Sequence, residues 1–379
     1  MTGALPALLE ELQAAPWATE AVSELRAVLP DAADTLQAAL HARADAAACE
    51  TVVAALFSRA EEGVGWTEPF WRECYVLACA ATAFALCAAP GGDRQRALRH
   101  LDCAFIMGGP PEVLQPFVAE VEPLVPRTVT IDAHLLPRSL PDGEAPELLA
   151  ASRLCRLGSG EWGRFRKEFY NVDAPVVLAG LGAAWPALEK WRDLGFWDRE
   201  FGHRYVPLEV GKHTDGSAWR EEVAPMCEFL AALAAGTRVL YLAQHTLFEH
   251  LPVLRKDFEV PDCVGRRLTR INAWLGSRGT VTPLHYDRRV AARTPCGWFC
   301  PIAFVHALTI RCVPQLRRAA HPGSWLQVRA ALSREQHTLL VSHKGGVGST
   351  TAVAGRRCRR RCSRRRWPGH HQPRRCRAP

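Results

Sequence analysis

The sequence predicts an α+β protein in three parts: an α-helical N-terminal domain, a β-rich domain of short strands, and a basic tail without regular structure. Three observations predict it. Apolar residues recur three and four apart up to about residue 125, which is helical spacing. From about residue 147 to Asp287, short β-branched and aromatic runs alternate with turn residues. After Asp287 the charge inverts. Of 47 Lys and Arg and 39 Asp and Glu, the segment after Asp287 holds 20 basic residues and one acidic residue, Glu335. The two portions therefore carry about −11 and +19.

The helical part opens with an acidic, amphipathic stretch, MTGALPALLEELQAAPW. It lacks the basic start and apolar core of a secretory signal. Pro30 and Asp31 punctuate the next run as a helix stop and a helix start. WRECYVLACAATAFALCAA reads as a buried helix ended by Pro90-Gly91-Gly92, and DRQRALRHLDCAFIMG as another, stopped by Gly109-Pro110-Pro111. No uninterrupted run of 18 apolar residues occurs, which predicts no membrane span. Fourteen cysteines are scattered without a disulfide spacing, and Cys74, Cys79, Cys87 and Cys103 read as buried thiols. The expected organisation is a helical bundle or repeat-like domain over 1–125, a Pro-rich linker over 126–146, the β-rich domain over 147–287 and the tail over 288–379.

In the β-rich part, APVVLAGL, RYVPLEVG, RVLYLAQH, LTRINAWLG and TVTPLHYD read as strands. GEWGRFRKEFYN, WPALEKWRDLGFW and APMCEFLAALAAG read as interleaved helices. Short strands with turn signals predict a β-barrel or a double-sheet jelly roll. The last strand ends in His285-Tyr286-Asp287. On a strand, residues i and i+2 face one side, so His285 and Asp287 can reach one metal ion. Imidazole with carboxylate suits Fe(II) when a third ligand completes a facial triad. The same triplet also arises as ordinary polar residues.

Four stretches carry a more specific signal: APVVLAGLGAAWPALEKWRDLGFW, RYVPLEVGKHTDGSAW, YLAQHTLFEHLPVLRKDFEVPDCVG and INAWLGSRGTVTPLHYD. In this order and spacing they resemble the JmjC domain-containing protein 5 / lysine-specific demethylase 8 family, and the helical N-terminal region resembles it more loosely. The resemblance implies a JmjC/cupin double-stranded β-helix and Fe(II)/2-oxoglutarate-dependent hydroxylation of a protein side chain. Arginyl hydroxylation or histone demethylation would be the reaction. It implies His285 and Asp287 as iron ligands, and Tyr241 and Thr282 as groups that bind 2-oxoglutarate. It implies Trp274, Glu209 and Gln244 at the substrate wall, where a carboxylate suits a guanidinium. Read alone, Tyr241 and Trp274 fit core aromatics and Glu209 fits a strand-edge charge.

The resemblance stops near Asp287, so the β-helix is expected to be incomplete. The family places an Asn soon after the Asp, then a Lys that pairs with 2-oxoglutarate, then a late iron-binding His. This chain has Ala291 at the Asn position. His306, His321, His337, His343, His370 and His371 lack the late strand context. The abrupt change fits a tail from an alternative exon, retained intron or frameshift. The expectation is a truncated, catalytically impaired oxygenase, with exposed sheet edges where strands are missing. The alternative is a noncatalytic interaction protein that uses its helical domain.

Two features of the tail imitate other sites. Lys344-Gly345-Gly346-Val347-Gly348-Ser349-Thr350-Thr351 follows TLLVS as a phosphate loop follows a strand, but Ser349 stands where the phosphate-binding Lys belongs. Cys296 with Cys300, and Cys358 with Cys362, lack the compact module a structural zinc site needs. Eleven of the 22 residues from Arg356 to Arg377 are Arg, which predicts only nonspecific nucleic-acid binding. The expected partners are an Arg- or Lys-containing protein substrate, histone or ribosomal, and proteins docked on the helical domain. The expected location is nucleus or cytoplasm.

Overall fold

A computed structural model describes residues 3–61, 68–131, 155–169, 176–211, 219–261, 268–277, 280, 290–295, 307–312 and 338–342. Among the described residues, seven α-helices build the N-terminal part: α1 (Leu5–Ala14), α2 (Pro16–Val28), α3 (Pro30–Leu40), α4 (Ala46–Glu61), α5 (Pro69–Ala88), α6 (Arg94–Ile106) and α7 (Pro111–Val121). Proline opens α2, α3, α5 and α7, where its fixed φ suits the first turn and its missing N–H costs nothing. Asp93 caps α6 by accepting from the Arg96 amide.

The central helix is α5, buried along most of its length within an apolar core that runs from Leu5 to Val125. It is long and apolar enough to cross a membrane by length and composition. Its charged residues Arg72 and Glu73 interrupt the apolar run, and it packs inside the helical domain as a core helix does. Cys74, Cys79 and Cys87 are buried there, while Cys103 is half-buried. Burial pushes the Cys74 thiol up to about 12, so it behaves as a small apolar side chain.

A second core spans Leu157 to Leu275. It lies between helices and one face of a sheet. The helices are α8 (Ala187–Lys190), α9 (Leu194–Phe201), α10 (Met226–Ala235) and α11 (Leu247–His250). Gly236 ends α10 in the left-handed region at φ +63°, where a side chain would be strained. Trp185, Trp191, Trp197, Phe248 and Phe258 form its aromatic centre.

The strands are β1 (Cys155–Leu157), β2 (Val176–Ala179), β3 (Tyr205–Val210), β4 (Arg220–Pro225), β5 (Leu240–His245), β6 (Leu268–Gly276), β7 (Val290–Pro295), β8 (Ala307–Cys312) and β9 (Thr338–Ser342). They pair in one sheet in the order β1-β2-β9-β7-β8-β6-β5-β3-β4, antiparallel except for β1 with β2. The β-rich domain therefore follows the helical part, as the sequence predicted.

Three described segments of the tail are strands. β8 pairs with β6, and β9 pairs with β2. Backbone N–H and C=O groups drive such pairing, and they are present whatever the side chains are. The short segments VAARTP, ALTIRC and TLLVS, which include Arg293 and Arg311, suffice. The phosphate-loop imitation at Lys344–Thr351 and both cysteine pairs lie outside the described residues.

The two cores meet directly. Gln115 of α7 donates to the carbonyls of Glu249 and His250, and Gln95 of α6 donates to the carbonyl of His203. Asp198 of α9 accepts from the amides of Thr130 and Ile131 and from the Thr130 hydroxyl, tying the chain leaving the helical domain to the second core.

Candidate functional site

Strands β3, β5 and β6 set up two faces. Val206, Leu208, Val210, Leu240, Leu242, Ile271 and Leu275 point into the second core. Alternation therefore sends Glu209, Tyr241, Trp274 and Asn272 to the other face. Register brings them together. Glu209 lies directly opposite Tyr241, and Tyr241 lies directly opposite Gly276. Trp274 is two residues from Gly276 on the same strand and face.

Gly276 is what lets this face close up. A β-carbon there would come 2.8 Å from the Tyr241 ring and 2.7 Å from the Thr280 hydroxyl oxygen. The ring thus occupies space that any other residue would fill. Tyr241 is 8% exposed and Trp274 7%, yet neither belongs to the second core. Glu209 is half-buried and accepts a hydrogen bond from the Trp219 indole at 3.5 Å. It is more enclosed than a strand-edge surface charge.

Sequence reasoning did not single out Asn272, within the quoted stretch INAWLG. Its side chain is 2% exposed, and its Oδ1 has no hydrogen-bond partner among the described residues. A buried acceptor without a donor is uncommon and points to a polar guest on that face. The signal in the sequence was an Asn between the apolar residues Ile271 and Ala273.

The other expected site residues divide in two. Gln244 belongs to β5, close to an irregularity in the β5–β6 register between Leu242 and His245. His285, Asp287 and Thr282 lie outside the described residues. Among the described residues no group of three His, Cys, Asp or Glu could hold a metal ion. The described face offers the hydroxyl of the buried Tyr241 and a buried Asn272 amide whose oxygen lacks a donor among the described residues.

Comparison with known proteins defines the class first. Residues 162–293 match the family described as "Cupin-like domain", and residues 27–121 match "KDM8-like, N-terminal ARM repeats". This is a helical-repeat region followed by a cupin-like sheet domain. Through these two regions the chain is similar to lysine-specific demethylase 8 and JmjC domain-containing protein 5.

Lysine-specific demethylase JMJ30 of Arabidopsis thaliana is 33% identical over 255 residues, 58% of this chain and 59% of that protein. Lysine-specific demethylase 8 of Danio rerio is 30% identical over 238 residues, 57% of this chain and 58% of that protein. Jumonji C domain-containing protein 5 of Drosophila melanogaster is 35% identical over 135 residues, 32% of this chain and 34% of that protein. The chain thus spans less than two thirds of the length of each of these relatives.

Proposed function

We propose that this chain is built on the scaffold of a JmjC-type Fe(II)/2-oxoglutarate-dependent protein hydroxylase and that its own turnover is impaired. The observation that carries the reading is the shared face of β3, β5 and β6. There Glu209, Tyr241 and Trp274 lie together, away from the core, within the span that matches the cupin-like domain.

In this reading His285 and Asp287 hold the iron, and the Tyr241 and Thr282 hydroxyls donate to 2-oxoglutarate. The bound pair supplies oxidative hydroxylation of a C–H bond. Trp274 walls the substrate cleft and keeps water out. Glu209 accepts from the cationic side chain of an Arg- or Lys-containing protein, and Gln244 belongs to the same wall.

Impairment follows from the pattern after Asp287. Ala291 of β7 offers no hydrogen-bonding group, and the tail shows no matching Lys and no matching late His. Two ligands hold Fe(II) weakly, and an unpaired far carboxylate weakens 2-oxoglutarate. The domain boundaries of the reading are 1–125, 126–146, 147–287 and 288–379. Its location is nucleus or cytoplasm. A second reading, a noncatalytic interaction protein, is favoured by the repeats at 27–121 and draws on the helical domain for docking.

The test is metal content and 2-oxoglutarate turnover of the purified full chain beside His285→Ala and Asp287→Ala. Weak Fe(II) binding that both variants abolish, with little succinate formed, supports the reading. Binding that is indifferent to both variants overturns the ligand assignment. Succinate release coupled to hydroxylation of an Arg-containing peptide, near the rate of a full-length relative, overturns the impairment.

A further inference from the structure

Six ionisable side chains meet where the helical domain rests on the sheet. Asp102 of α6 is fully buried and accepts from Arg204 Nη2 at 2.6 Å and Nε at 3.0 Å, and from the Tyr205 amide at 2.8 Å. Its Oδ1 also lies 2.6 Å from His250 Nε2, and His250 Nδ1 lies 2.9 Å from His245 Nε2. On the other side Arg204 Nη1 donates to Glu122, which also pairs with His203 at 2.8 Å. The His250 ring stacks on Phe105 of α6. Asp102, Phe105 and Glu122 belong to the helical domain. Arg204, His250 and His245 belong to the second.

The chemistry gives this chain a direction. Burial alone would raise the Asp102 carboxyl, but Arg204 and His250 outweigh it and hold the group ionised, well below the usual carboxylate range. An ionised carboxylate only accepts. Burial lowers both histidines, so both rings are neutral. A neutral His250 that donates from Nε2 must accept at Nδ1, so His245 must donate from its own Nε2. Asp102 thereby fixes both tautomers.

His245 is the last residue of β5 and pairs with Ala273, the neighbour of Trp274. The register shift between Leu242 and His245 sits between that anchor and Tyr241. Such a shift re-aims the side chains around it and needs something to hold it.

We infer that the Asp102–His250–His245 chain is a positioning device. Through it the helical domain fixes the end of β5 and so aims Tyr241. Its meaning for chemistry rests on the proposed oxygenase reading, whereas the coupling itself needs no metal or co-substrate.

The test uses the full chain, labelled with 15N-histidine, and compares Asp102→Asn, His250→Gln and Glu122→Gln. Histidine ring nitrogen shifts report tautomers, and amide hydrogen exchange reports β5. The native chain should show both histidines protonated at Nε2 only. Asp102→Asn should alter both ring signatures, and exchange over Leu240–His245 should rise about tenfold, the effect of losing one charge-assisted hydrogen bond.

His250→Gln cuts the chain nearer the strand and gives the same β5 result where Asp102→Asn fails to fold. Glu122→Gln cuts only the side branch and should leave the His245 signature and β5 exchange unchanged. The proposal is overturned if β5 exchange is unaltered in the folded variants that cut the chain, or if His245 keeps its signature without Asp102. It survives absent iron binding, because neither readout depends on the metal.

Discussion

Replacing Asp102 with alanine strands two groups at once. Arg204, whose side chain is 3% exposed, loses its bidentate partner, and His250, fully buried, loses the acceptor for its Nε2 proton. Removing one partner of a buried pair costs roughly 3–5 kcal/mol, because the remaining charge is left desolvated. Glu122 stays 3.3 Å from Arg204 and supplies part of the missing charge, which places the expected loss near the bottom of that range. About 3 kcal/mol is a large share of the roughly 5–15 kcal/mol typical of a folded protein. Urea unfolding of the full chain, followed by circular dichroism, measures it as a lowered midpoint. Adding Arg204→Met removes the stranded charge and should recover part of the loss. A loss below about 1 kcal/mol for Asp102→Ala would refute the reasoning, since a solvated pair behaves that way.

Three further outcomes are expected. The buried His245 and His250 have folded pKa values below the ordinary 6.5, so the unfolded chain binds more protons just below that pH. Stability is then retained above pH 6.5 and falls as the pH drops through it, by at most about 1.4 kcal/mol per pH unit for each histidine. The lowered Asp102 adds a separate loss below about pH 4, and a melting temperature flat from pH 7 to 5 would contradict the buried-neutral assignment. Gly202→Ala should cost about 1–3 kcal/mol by chemical denaturation, because its β-carbon would overlap the backbone carbonyl of Asp198, which cannot swing away. Trp197→Ala should cost about 3–5 kcal/mol, for Trp197 is 1% exposed and packs on Trp191 and Phe201. A near-neutral result would mean that the second core collapses around the gap.

Much of the architecture was legible because it is written in local periodicity. WRECYVLACAATAFALCAA is α5, and WPALEKWRDLGFW resolves into α8 and α9 around an Asp193 that caps the second. RYVPLEVG, RVLYLAQH and LTRINAWLG contain β3, β5 and β6. β4 escaped notice because REEVAP buries no residue and so shows no alternation of burial. The Asp102 network also escaped, for a different reason. Its partners lie 102 and 148 residues away, and no local pattern marks an Asp between Leu101 and Cys103 as the hub of a domain contact. Of the site, the gathering of Glu209 with Tyr241 depends on strand register, which a list of strands does not contain.

The region after Asp287 separates two demands that a β-domain usually meets with the same strands. Covering the edge of β6 asks only for backbone donors and acceptors in extended conformation, and Ala307–Cys312 provides them. Completing a metal centre asks for one particular side chain at one register position, held to within a fraction of an ångström. The first demand tolerates almost any short apolar run, and the second tolerates few substitutions. A sheet can therefore continue through a segment whose side chains no longer follow the family's pattern. Pairing at β6 says nothing about whether His285, Asp287 and a third side chain hold a metal, as proposed. This is why metal titration of the full chain, rather than evidence that the sheet is folded, decides between a working oxygenase and a retained scaffold.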